Sequence, residues 1–169
     1  MKGDSLKNRA AYFGVFTALA LIFSYVETFI PIPFGIPGVK LGLANLMIVI
    51  MLYKGTAKEA CLLSVVRILL SGFLFGSLFS ILYSLAGGMF SLAVMIGLKR
   101  RKKYSVIGVS IAGGVFHNIG QLIVAMAVVE TLSVGYYVPV LLVAGCVTGA
   151  LIGIVSEAVL KRTANIRLE

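Results

Sequence analysis

The chain has 169 residues, of which 60% are hydrophobic and 12% charged, with a mean hydropathy of +1.06. Soluble domains carry roughly 45–50% apolar and about 25% charged residues, and one of this length buries only about 70% of its unfolded surface. The apolar surplus therefore excludes a soluble enzyme, a nucleic-acid-binding domain and a disordered protein, and it points to lipid as the solvent. The net charge of +9 comes from 15 Lys and Arg against 6 Asp and Glu. These cations cluster between apolar runs without interleaved aromatic residues, so membrane topology accounts for them and a nucleic-acid partner does not.

A bilayer core about 30 Å thick takes about 20 helical residues per crossing. The punctuation predicts six helices, over 10–30, 39–53, 60–74, 77–98, 105–129 and 137–160. The first is stopped by Pro31, Pro33 and Pro37, and the polar stretch 54–59 follows the second. A Gly/Ser break over 71–77 separates the third from the fourth. The basic run 99–103 is the sharpest boundary in the chain. These runs are too long and too continuously apolar for the alternating strands of a membrane barrel. The expected fold is an all-α membrane bundle of six transmembrane helices, forming one integral membrane domain over residues 1–169. The first run is too long for a signal peptide, and no cleavage site closes it.

Orientation follows from the basic residues. With six spans, thirteen of the fifteen cations fall on one side: Lys2, Lys7 and Arg9, then Lys54 and Lys58, the five of 99–103, and Lys161, Arg162 and Arg167. Lys40 is alone in the opposite loops, and Arg67 lies within the third span. Both termini are therefore expected in the cytoplasm.

Lipid gives no hydrophobic drive for helix association, so small residues that allow close approach carry much of it. Gly145, Gly149 and Gly153 recur every fourth residue in the sixth span, and Gly113, Gly114 and Gly120 lie in the fifth. Internal packing is the reading for the sixth-span row. Ala10, Gly14 and Ala18 form a similar row in the first span, read as a docking face for another protein. Cys61 and Cys146 sit in apolar stretches without partners at metal spacing, and they read as buried structural thiols.

Ionisable and amide groups at membrane depth are functional candidates. They are Glu27, Lys40, Asn45, Arg67, His117, Asn118, Gln121 and Glu130. His117 and Gln121 are four apart and share a helix face, with Asn118 beside them. The spacing gives several donors and acceptors for a polar ligand, but neither a metal site nor a nucleophile–base pair. Asn45, Arg67, His117 and Gln121 come from three spans and are expected to converge on one outward-opening cavity. The alternative is that each bridges helices, with Arg67 paired to Glu27 or Glu130. The loops over 31–38 and 71–77 carry Phe34, Phe73 and Phe75, with Phe29 just before, and read either as a lid or as tight turns.

The stretch 37–46, the run Val66-Arg67-Ile68-Leu69-Leu70-Ser71-Gly72, and His117-Asn118-Ile119-Gly120-Gln121-Leu122 resemble the bacterial membrane family called Gx transporters. That family is also labelled heptaprenyl diphosphate synthase component I. The resemblance runs from about residue 10 to 160. The family is similar in size and span count to the substrate-binding S components of energy-coupling factor (ECF) transporters. The resemblance implies a multi-pass protein of the bacterial cytoplasmic membrane that binds one small molecule. It also implies docking on a membrane coupling subunit driven by two ATPases. In that group an Ala-x-x-x-Ala-like face on the first helix docks, and the matching positions here are Ala10, Gly14 and Ala18.

The synthase label conflicts with the residues. Prenyl synthases resemble one another in Asp-rich motifs that hold Mg²⁺ and diphosphate, and this chain has one aspartate, Asp4. No phosphate-binding Gly-x-x-x-x-Gly-Lys-Ser/Thr loop is present, so ATP is expected to be used only by a partner. The expected function is a non-catalytic, substrate-binding uptake subunit with no intrinsic cofactor and no metal. The alternative is a membrane accessory subunit in isoprenoid or quinone metabolism or in electron transfer. Arg67 and Lys40 favour a substrate with an anionic group, and the many Phe and Leu residues favour an apolar or aromatic body.

Overall fold

A computed structural model describes residues 2–29, 42–129, 135–136 and 138–164. The described chain is helical: α1 (Lys2–Thr28), α2 (Leu43–Lys54), α3 (Ala57–Phe75), α4 (Leu78–Arg100), α5 (Val106–Val129) and α6 (Val138–Arg162). Four segments are long and apolar enough to cross a membrane: Arg9–Thr28, Leu78–Arg100, Val106–Val128 and Val138–Arg162. α2 is apolar but has only 12 residues, and α3 carries Lys58, Glu59 and Arg67.

Local chemistry sets the boundaries. Thr56 caps α3 and forms a reciprocal capping box with Glu59, which starts that helix at Ala57 rather than at the expected 60. Ser77 caps α4 by accepting from the Ser80 N–H. Only Gly76 and Ser77 separate α3 from α4. The break expected over 71–77 is therefore a tight turn, with residues 71–75 in helix. Gly72 was read as part of that break. It is instead a close-approach glycine, because a Cβ there would lie 2.1 Å from Ile81 Cγ1.

α2, α3, α4, α5 and α6 each pack on the next, and α6 returns to α2. α1 lies outside this ring against α2 and α3. The apolar core gathers around α2, whose Met47, Ile48, Val49, Ile50, Met51 and Leu52 are all buried. A helix apolar on every side belongs in the interior. It meets Leu63 of α3, Leu92 of α4, Val109 of α5 and Ala20 of α1 in one cluster.

On the other flank the helices touch through backbone. A Cβ on Gly114 would lie 2.4 Å from the Gly145 carbonyl oxygen, one on Gly149 2.7 Å from Ile111 Cα, and one on Gly153 2.8 Å from Ile107 Cα. The sixth-span glycine row is thus buried against α5. Val143, Val147 and Leu151, two residues off that row and so on the other side of α6, are exposed. Glycine inside and bulky side chains outside is the reverse of a water-soluble helix, and it suits packing in lipid. Gly87 and Gly120 repeat the arrangement between α4 and α5. Cys146 also faces outward and Cys61 is half-buried, both as free thiols. The expectation of two buried cysteines is corrected at Cys146, which shares the outer side of α6 with Val143 and Val147.

The cation-bearing helix ends lie together. Arg9 of α1 pairs with Glu59 of α3 at 2.8 Å. Lys54 donates to the Thr163 carbonyl beyond α6, and Lys99 donates to the Leu52 carbonyl near the end of α2. Both lysines therefore sit where terminal carbonyls lack helical partners. Burial pushes the Glu59 carboxyl up, but the bonds from Thr56 and Arg9 outweigh it and hold the group below the usual carboxylate value.

Gly114→Val should force α5 from α6, because the clash is with backbone that cannot rotate away. A loss of about 1–3 kcal/mol is expected, read as a lower midpoint of thermal unfolding in detergent. Gly97→Ala, where a Cβ meets nothing within 4 Å, should leave the midpoint unchanged.

Candidate functional site

A cleft of about 930 Å³, open mouth included, runs into the bundle, and all six helices line it. Helical periodicity brings the lining residues to its wall. On α4, Ser80, Ser84 and Ser91 stand four and seven residues apart, hence on one face. On α5, Ser110, Gly114, His117 and Gln121 repeat at three or four. α6 contributes Thr148, Gly149 and Ile152. The cleft reaches from Thr28, Gly76 and Ser80, at the helix ends away from the cations, to Met95 and Ile152. From Ser80 to Met95 that is about 22 Å at 1.5 Å per residue.

Arg67 faces this interior and is buried. Its Nη2 donates to Asn45 Oδ1 at 3.1 Å, which ties α3 to the first turn of α2. Glu27 interacts electrostatically with Arg67 across the cleft. The Glu27 carboxylate also accepts from the Gly42 N–H. Gly42 stands at the N-terminal cap of α2 with φ +73°, a left-handed conformation that glycine adopts without a Cβ penalty. The end of α1 is thus fastened to the start of α2 directly at the cleft rim.

Glu27, Asn45, Arg67, His117, Asn118 and Gln121 all line this one cleft. Asn118 also has a structural bond: its Nδ2 donates to the Leu141 carbonyl of α6 at 2.7 Å. Lys40 and Glu130 lie outside the described residues, as does the loop over 31–38. Arg67 thus has a hydrogen bond to the Asn45 amide oxygen and a charge interaction with Glu27. Ala10, Gly14 and Ala18 are exposed, and a Cβ on Gly14 would meet nothing within 4 Å.

The sequence missed the hydroxyls. Ser24, Ser71, Ser80, Ser84, Ser91, Ser110 and Thr148 line the cleft, and their spacing on α4 was the available signal. The aromatic residues expected to receive a ligand are mostly elsewhere. Phe75 reaches the lining, Phe29 and Phe73 are exposed, and Phe34 lies outside the described residues. Tyr25 stacks against Phe29 and Phe75 with ring centroids 4.9 Å from each. Among the described residues no three His, Cys, Asp or Glu side chains group to hold a metal ion.

The family model for heptaprenyl diphosphate synthase component I matches residues 16–159. The chain belongs to that family. Neither a curated protein nor a solved structure matches it. The matched segment contains the cleft and every candidate residue within it, Glu27 to Gln121, together with Ala18 of the small-residue row on α1.

Asn118→Ala should lower thermal stability by about 0.5–1.5 kcal/mol, the range for an interhelical bond in a membrane protein. Circular dichroism melting in detergent reads the change.

Proposed function

We propose that this chain is the membrane-embedded binding subunit for uptake of a small molecule, working with a separate ATP-driven module in the bacterial cytoplasmic membrane. The observation that carries this reading is the convergence of Arg67, Asn45, His117 and Gln121 on one deep cleft walled by all six helices. A helical bundle needing only stability would fill that space with side chains, because voids and buried polar groups both cost free energy. In this reading no catalytic step or intrinsic cofactor is involved, and ATP is used by the partner.

The reading includes six crossings with both termini in the cytoplasm. Its support is the gathering of Arg9, Lys54, Lys58, Lys99 to Lys103, Lys161 and Arg162 at one end of the bundle, on the side where basic residues are retained. A single cysteine at Lys102, in a Cys61→Ser, Cys146→Ser background, should react with an impermeant maleimide in inverted vesicles but not in intact cells. Labelling in intact cells would reverse the orientation.

The exposed row Ala10, Gly14 and Ala18 supports docking of a partner helix. Gly14→Leu should abolish uptake and partner co-purification while ligand retention by the isolated subunit stays within about twofold, since a side chain there meets open space. Survival of uptake would remove the coupling argument. The family description favours a second reading, an accessory subunit of a prenyl diphosphate synthase. That reading predicts co-purification with a soluble synthase and no retained small molecule, which mass spectrometry of the purified protein tests.

A further inference from the structure

Two buried donors, on residues that line the cleft, have no partner among the described residues. Arg67 is 9% exposed, and its Nε has no hydrogen-bond acceptor. Ser24 of α1 is also 9% exposed, and its Oγ is likewise unpaired. Both residues line the cleft. A buried donor left unsatisfied costs roughly 1–3 kcal/mol, and more when charged. Arg67 Nη2 is engaged by Asn45, and the buried Nε–H is left without an acceptor among the described residues.

The rest of the lining limits what that something is. Fourteen of the twenty-five lining residues carry polar side chains, six are glycines and five are apolar. The apolar five, Val49, Ile68, Phe75, Met95 and Ile152, are spread over four helices and form no continuous channel for a hydrocarbon chain. Hydroxyls, by contrast, recur along the whole depth, from Thr28 and Ser80 to Ser91 and Ser110. Charge is nearly balanced, with one guanidinium facing one carboxylate, Glu27, whose Oε1 already accepts from Gly42. An incoming oxygen acceptor therefore finds a charged donor and a hydroxyl on residues of the lining, with the Glu27 charge offset by Arg67.

We propose that the ligand is a hydrophilic oxyanion, with a carboxylate or phosphate oxygen accepting from Arg67 Nε and Ser24 Oγ and a hydroxyl-rich body in the serine-lined shaft. This deepens the uptake reading and rests on it. It replaces the apolar body expected from composition, because the phenylalanines that suggested one lie mostly on the outer surface. It also separates the cleft's ligand from a prenyl diphosphate, whose tail would find few apolar side chains among the described lining residues.

The test uses the purified full chain in detergent, with unfolding followed by circular dichroism. The probes are glycerol 3-phosphate, malate, neutral glycerol and geranyl diphosphate at equal ionic strength. Glycerol 3-phosphate or malate should raise the midpoint in a saturable way, and glycerol should not. Arg67→Gln should weaken that binding about tenfold or more, as loss of a charge-assisted bond does. Ser24→Ala, which removes one hydroxyl and leaves packing intact, should weaken it severalfold. Arg101→Ala, an exposed cation, should change nothing. Mass spectrometry of molecules released from the wild-type protein should show a hydrophilic anion.

A shift that survives Arg67→Gln and Ser24→Ala, a stronger effect from geranyl diphosphate, or an internal water as the only partner of Arg67 Nε overturns the oxyanion. Release of a neutral molecule or lipid also overturns it, while leaving the uptake reading standing. Failure of every probe together with no released molecule overturns both.

Discussion

Helices in lipid gain nothing from burying leucine against leucine, so what they can do is approach closely. In this chain the approach is made at Gly114 against Gly145, at Gly149 and Gly153 against the α5 backbone, and at Gly87 against Gly120. Dispersion between backbones acts over short distances, and a missing Cβ on at least one side lets the helices reach them. These contacts join α4, α5 and α6 into one wall whose spacing larger side chains do not set. The cleft exists because that wall meets the other, built around α2 with ordinary bulky core residues, along an uneven seam.

The same division explains where polar groups are tolerated. A wall held by backbone contact has room for polar side chains, and α4 and α5 place serines, His117 and Gln121 on the cleft while His117 and Gln121 also pack against Gly87. The opposite wall supplies the charges. Arg67 would cost at least ~2.5 kcal/mol on insertion scales if it faced lipid. Here it is held by Asn45 and balanced by Glu27, so the α1–α2–α3 wall carries both the positive group and its offset. Binding chemistry and helix association thus meet on α5, where Gly114, His117 and Gln121 both line the cleft and take part in close helix contacts.

Much of this could be read before folding. The basic run at 99–103 lies at the end of α4, because charge exclusion is a local effect, whereas α1 runs from Lys2 through the N-terminal cations expected to precede it. The four-residue glycine row in α6 announced a close contact, though not its partner. Gly72 misled, since a glycine that ends a helix and one that admits Ile81 look alike in sequence. Serines on α4 were passed over because serine carries no distinctive chemistry alone, and its meaning here comes from facing Arg67's cleft. Arg9 and Glu59 lie fifty positions apart, and no periodicity connects residues on different helices. The convergence of candidate residues was legible only as an expectation, because the sequence gives faces of helices but not their rotation in a bundle.

Two of the lysines that weigh most in the charge asymmetry are also fastenings. Lys54 holds the carbonyl of Thr163, and Lys99 holds that of Leu52 while lying 5.2 Å from the centre of the Tyr53 ring. Their side chains bind the finishing turns of α6 and α2 across helix boundaries. During synthesis, α2 emerges well before Lys99 and α6 last of all. The closing of these two contacts therefore waits on later parts of the chain, and the short central helix gains its clamp only when α4 is in place. Insertion and assembly draw on the same ammonium groups, so the order of events along the chain is written into two residues rather than into a separate device.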